Sequence, residues 1–229
     1  MEFLTTISSA FLQGGLYMWL ILCLQVVSIA IIVERALVLF KKRAPTEFKF
    51  SSEFESLIRK GDLKAVQAKL EKVSAKAHPL ARAIGAGVTA AVNLGGKDEI
   101  QGKMDEVLLD ENARLERRTG FLAMLANVGT LMGLLGTITG MIKSFAAVSY
   151  ASPMEKATLL SAGIAEAMNT TAYGLIMAIP TIIMFAILAN RSTILSDDLN
   201  QGALRIYNWL SYAYEPVPAK GVQREGSES

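Results

Sequence analysis

The chain has 229 residues, of which 52% are hydrophobic and 19% charged, and its mean hydropathy is +0.35, an apolar excess that a soluble domain of this length would leave exposed. A net charge of +2 gives no basic face for nucleic acid, and one cysteine (Cys23) and one histidine (His78) exclude an internal disulfide framework and a dedicated zinc site.

In chain order, residues 1–15 carry no Lys or Arg. Their apolar set Phe3, Leu4, Ile7 and Phe11 fits either a short helix on the outer membrane face or an unstructured terminus. Leu16 to Val33 is an uncharged run of 18 residues without a basic stretch before it or a small-x-small cleavage site after it, so it reads as a first membrane helix, residues 16–40, and not as a cleaved signal. Glu34-Arg35 and Lys41-Lys42-Arg43 mark its positive end, and Cys23 and Gln25 within it read as packing residues.

Residues 41–118 read as a polar, helical cytoplasmic region. Ser52 with Glu55 suggests a capping box, Gly61-Asp62 a break and restart, and His78-Pro79 another start that closes near Asn93-Leu94-Gly95-Gly96. His78 itself reads as a solvated residue at a helix start. Ile100, Met104, Val107, Leu108 and Leu115 recur at helical spacing with only Glu111 breaking the stripe, and no proline follows before Phe121, so the pattern predicts one helix from about residue 98 to about 147.

A second uncharged run, Phe121 to Ile142, places a membrane helix over 119–147, and 148–156 is a turn on the outer side. Gly129, Gly133, Gly136 and Gly140 form a small-residue stripe for close helix packing, and the polar residues Asn127, Thr130, Thr137 and Ser144 accompany it. Lys143-Ser144 follows Ile142 on an apolar helix and is not a nucleotide loop. Ser152-Pro153-Met154-Glu155 supplies an N-cap, a proline at the first helical position and a glutamate at the third, which starts a third membrane helix over 157–190 that contains the uncharged run Ala167 to Leu188.

Glu166 lies thirteen residues, about 20 Å of helix, past Pro153, which puts an ionisable group inside the bilayer or close to it and makes it a functional candidate. Pro180 frees the carbonyl of Ile176 and predicts a kink. The helix extends over 191–215 on the inner side, Pro216 and Pro218 end it, and 216–229 is a polar tail of low predicted order. Of the 23 basic residues, 17 lie in 34–120 and four in 191–229, which puts the N-terminus outside and the C-terminus inside.

The runs Leu134-Leu135-Gly136-Thr137-Ile138-Thr139-Gly140-Met141-Ile142-Lys143-Ser144-Phe145, Ile164-Ala165-Glu166-Ala167-Met168, Thr171-Ala172 and Gly174 to Pro180 resemble the MotA/TolQ/ExbB proton-channel family, in its three-helix ExbB/TolQ branch. The resemblance implies an all-α membrane protein of the bacterial inner membrane, a homopentamer around two copies of a single-span partner of the ExbD/TolR/MotB kind, the partner carrying the ion-binding aspartate. It matches Thr137 and Thr171 to the pore threonines and Glu166 to the helix-three glutamate. It also implies a stator subunit that transduces the proton motive force to the cell envelope, with no enzymatic activity and no cofactor beyond the transported proton. Thr170 before Thr171 keeps sodium open as the alternative ion. A non-conducting helical scaffold and a secondary transporter are the competing classes; three helices without inverted repeats leave the latter little room for a midplane site.

Overall fold

In a computed structural model the chain is described over residues 15–42, 47–72, 78–93 and 96–214. The expectations for 1–14, for Arg43, for Leu94-Gly95 and for the tail from 215 onward lie outside these residues. Among the described residues there is no strand. The described residues form seven α-helices in order: α1 Gly15–Ala36, continued by a π-helical stretch Leu37–Lys42, α2 Glu47–Arg59, α3 Leu63–Lys72, α4 Pro79–Asn93, α5 Lys97–Glu116, α6 Thr119–Tyr150 and α7 Pro153–Tyr214. The chain divides into two units, Met1–Ala44 with Glu116–Thr193 and Pro45–Leu115 with Ile194–Ser229.

The first unit holds α1, α6 and the first two-thirds of α7. Stretches long and apolar enough to cross a membrane lie in Gly15–Phe40, Lys97–Tyr150 and Met154–Tyr212. Leu16, Trp19, Val26, Leu131, Ile138, Ile176 and Ile183 are exposed, which for a helix in water would be costly and in hydrocarbon is favourable. Ile21, Leu125 and Met177 are buried at the centre, with Leu24, Ile31, Met132 and Tyr173 against them. The third helix starts at Pro153, where the Ser152 hydroxyl (2.6 Å) and backbone N–H (3.1 Å) both donate to the Glu155 carboxylate. Those bonds, the hydroxyl's first, hold the Glu155 carboxyl below its ordinary value. Pro180 lies inside a helix that continues on both sides of it.

The single helix expected over 98–147 is two helices. Arg118 separates α5 from α6 in the left-handed region, φ 64°, and its guanidinium reaches both oxygens of Glu34 on α1 at 2.7 and 2.6 Å. The apolar period of α5 gives no sign of this break and no proline marks it; Gly120, two residues on, is a local signal, and the Arg118–Glu34 ion pair spans 84 residues of sequence.

The second unit is a helical bundle of the water-soluble kind. Phe54, Ile58, Val66, Leu80, Ile84, Val88, Ile100 and Met104 form its core with Leu199, Ala203, Ile206 and Leu210 from the last part of α7. Gly61, at φ 74°, ends α2, and Asp62 caps α3 by accepting the N–H of Ala65 at 3.0 Å. Ser52 is not an N-cap: α2 is already helical from Glu47, because its apolar face extends back to Phe50, and Glu55 pairs with Arg59 at 3.0 Å instead. His78 stacks on Phe50 with ring centroids 4.0 Å apart, so it is a packed residue and not a solvated one.

Glu111, the one polar member of the α5 stripe, is 2% exposed and pairs with Arg82 of α4 and, at 3.6 Å, with Arg114. Ser196 donates to Asn112 at 2.8 Å and Asn112 to Asn200 at 3.0 Å, tying α5 to the end of α7.

Candidate functional site

The antiparallel contact between α6 and α7 is set by residues too small to keep backbones apart. Gly129, Gly133, Gly136 and Gly140 are all buried. A Cβ added at Gly133 would lie 3.3 Å from the Thr171 Cα and 3.4 Å from the Gly174 Cα; one at Gly140 would lie 3.1 Å from the Ala167 Cβ; and one at Gly174 would lie 2.9 Å from the Gly129 carbonyl oxygen. A side chain at Gly136 or Gly163 would collide with Thr170 or Ser144 respectively. The glycine stripe is therefore consumed within one chain.

With roughly 100° of rotation per residue, Leu125 and Met132, which meet α1, fall on one side of that glycine stripe and Thr130 and Thr137 on the other. On α7 the same reasoning puts Tyr173 and Glu166 on the side of α1 and Thr171 on the far side. Tyr173 donates to Gln25 Oε1 at 2.5 Å, which fixes that side directly. Thr137 and Thr171, both half-buried, are thus brought together along the flank of the α6–α7 pair away from α1. The Thr171 hydroxyl donates across to the Gly133 carbonyl at 2.9 Å, and the Thr137 hydroxyl to the Leu134 carbonyl at 2.6 Å. Each proton is committed to the backbone, which leaves oxygen lone pairs as the outward chemistry.

Thr170 does not share that flank. It is 1% exposed, packed against Gly136, with its hydroxyl donating to the Glu166 carbonyl at 2.9 Å. Glu166 stands apart from both threonines. Its carboxylate lies 3.7 Å from Lys143 Nζ and against Gly15, where φ is +64° and an added Cβ would come within 2.6 Å of Oε1. Only glycine fits there on both counts.

These charges define the ends of the apolar layer. Lys143 and Glu166 mark one end; Arg118 with Glu34, and Arg191 with its guanidinium 5.4 Å over the Phe40 ring, mark the other. Lys143 follows Arg118 by 25 residues and Arg191 follows Glu166 by 25, about 37 Å of helix in each case. Glu166 therefore sits at the boundary of the layer and not in its middle. A cleft of about 470 Å³ beside it is lined by Lys143, Ser144, Ala147, Leu159, Gly163 and Glu166.

Sequence reasoning missed Lys143 as the partner of Glu166 and read Gln25 as a packing residue. The one signal for the former was the small-residue register: pairing Gly140 with Ala167 in antiparallel order carries Lys143 to the level of Ile164, within one helical turn of Glu166. Among the described residues no group of acidic, histidine and cysteine side chains has the arrangement of a metal site.

The family model described as the MotA/TolQ/ExbB proton channel family matches residues 75–201, more than half of the chain. The chain belongs to this family. It is 36% identical over 114 residues to the Tol-Pal system protein TolQ of Haemophilus influenzae, a stretch that is 49% of this chain and 43% of that protein. It is 30% identical over 99 residues to the biopolymer transport protein ExbB of Salmonella typhimurium, 43% of this chain and 40% of that one. A putative biopolymer transport protein ExbB homolog of Methanothermobacter thermautotrophicus is 25% identical over 226 residues, 96% of this chain and 75% of the relative. The matched stretch spans less than half of the TolQ and ExbB proteins. Membership in this proton-channel family and the three apolar helices make the chain a membrane protein.

Proposed function

We propose that the chain is the pore-forming stator subunit of a motor in the bacterial inner membrane, driven by the proton motive force, that transduces energy to the cell envelope. It acts as a homopentamer around two copies of a single-span ExbD/TolR-like protein that supplies the titrating membrane aspartate. The N-terminus is periplasmic, residues 41–118 and 191–229 are cytoplasmic, and 148–156 is the periplasmic turn.

The observation that carries this reading is the shared flank of Thr137 and Thr171. Two hydroxyl oxygens whose protons are held by backbone carbonyls offer lone pairs at fixed positions, the ligand that a hydrated proton or a partner's protonated carboxyl needs. A carboxyl from a second chain completes the relay, because threonine does not titrate. Burial of Thr170 in the helix pair removes the extra oxygen that a sodium path would use and favours the proton. Glu166 with Lys143 acts as a polar lock at the outer end, holding the start of α1 to α7. Since the glycines are used within the chain, the contacts between copies fall on exposed apolar faces other than the glycine stripe.

Thr137→Val and Thr171→Val, each reconstituted with the partner in proteoliposomes, should lose proton flux while native mass spectrometry still shows five copies. Normal flux in both variants rejects the assignment, and a stable monomer or dimer as the only species rejects the pentamer. Reporter fusions at residues 80 and 152 should label opposite sides of the membrane.

A further inference from the structure

Asn127 stands on the exposed face of α6 among Met124, Leu131, Leu134 and Ile138, all of which are exposed apolar side chains. Every threonine and serine hydroxyl in the α6 run from Thr130 to Ser149 is tied to a backbone carbonyl of its own helix, Thr130 to Ala126 and Ser144 to Gly140 among them. The Asn127 amide, by contrast, makes no hydrogen bond to any other described residue.

Its depth is set by the charged ends of the layer. It lies nine residues, about 14 Å, from Arg118 and sixteen residues, about 24 Å, from Lys143. Two donors and an acceptor without partners at that depth are not compatible with a face turned to hydrocarbon. By rotation, Asn127 lies on the half of α6 that faces outward and toward the Thr130 and Thr137 side, away from α1.

Thr137 and Thr171 lie only six and five residues inside the outer charges and serve the outer third of the layer; Thr130, on the same flank, lies twelve residues from Arg118, near mid-layer, and Asn127 is the next polar side chain of α6 toward the inner end. Resting on the pore assignment above, we propose that Asn127 is the inner station of the ion path, a positioning residue whose amide orders the water through which the proton leaves the threonine level toward the basic inner end. The amide is not protonated in the step. It donates to one water and accepts from the next, and the proton passes along that water chain without net change at Asn127.

The test uses everted native membrane vesicles containing the full chain with its partner and a Cys23→Ser background. Asn127→Cys should react with a membrane-impermeant cationic methanethiosulfonate from the inner side at a rate comparable to Lys103→Cys, an exposed position in the second unit, whereas Val27→Cys on the exposed face of α1 should stay unreactive. Dissipation of an imposed pH gradient should slow by about tenfold or more in Asn127→Leu and recover in Asn127→Ser, with the assembly intact on native gels. Protection of Asn127→Cys to the level of Val27→Cys overturns the proposal and assigns the amide to a contact between chains; so does full flux in Asn127→Leu. Thr137→Val, run alongside, separates the two readings. Lost flux in Asn127→Leu with normal flux in Thr137→Val keeps the inner station and removes the threonines from the path, and the reverse pattern removes Asn127.

Discussion

Gly133 in the membrane unit and Phe54 in the second unit each sit at the centre of a helix contact, and they do so by opposite means. Around Gly133 the backbones of α6 and α7 approach until an added Cβ would touch the Cα atoms of Thr171 and Gly174, and a threonine hydroxyl bonds across the gap. Around Phe54 the helices are held apart by large side chains, Ile58, Val66 and Leu80 among them, that water would otherwise cover. The solvent explains the difference. Lipid tails are as apolar as leucine, so burying a leucine between membrane helices gains little, while close backbone packing and an interhelical hydrogen bond still gain. In water the gain lies in the area of the side chain itself, about 25 cal/mol per Å² removed from solvent.

Substitution can break this contrast from either side. The largest effect is expected from Gly133→Leu, because the atoms it would strike at 3.3 to 3.4 Å are backbone and cannot move aside. The α6–α7 pair should fail to form, seen as loss of the folded chain on size-exclusion chromatography in mild detergent. Phe54→Ala should cost about 3–5 kcal/mol, read from the denaturation midpoint of the second unit's helical signal, without loss of membrane insertion.

Arg82→Met removes the guanidinium hydrogen-bonded to buried Glu111 and should cost about 3 kcal/mol, most of it recovered by adding Glu111→Leu, as a double-mutant cycle would show. Lys143→Met should cost no more than about 1 kcal/mol, since the lysine side chain is 68% exposed and its pair is loose. Smallest, and opposite in sign, is Gly102→Ala: nothing lies within 4 Å of the added methyl in mid-α5, so helix propensity alone should raise stability by up to about 1 kcal/mol.

The same contrast separates what the sequence made legible from what it did not. The start of α7 at Pro153, the break at Gly61-Asp62 and the small-residue stripe are written in residues within a few positions of each other, where local geometry decides. Features that depend on a distant partner were not legible. Ser52 looked like a cap only because the packing of Phe50 onto Phe54 and His78 is invisible to spacing, and Arg118 at the helix break pairs with Glu34, 84 residues away. The family resemblance singled out Thr137 and Thr171 but did not show that they share one flank while Thr170 turns inward; that follows from how the glycines pair α6 with α7. The lysine that meets Glu166 is on a different helix, and only the register between the two helices reveals it.

The equal spacing of the charged ends on α6 and α7 carries a consequence for the bilayer. Because glycine contacts lock the two helices along their shared length, neither can slide or shorten on its own, and the pair behaves as a ruler of about 37 Å between its charges. A hydrocarbon core of about 30 Å is thinner than that ruler, so the mismatch falls on tilt of the pair as one body and on Lys143, Arg118 and Arg191 reaching outward along their aliphatic stems. Reconstitution into lipids of stepped acyl-chain length should therefore change the tilt of both helices together, while the hydroxyl bond from Thr171 to Gly133 persists unchanged.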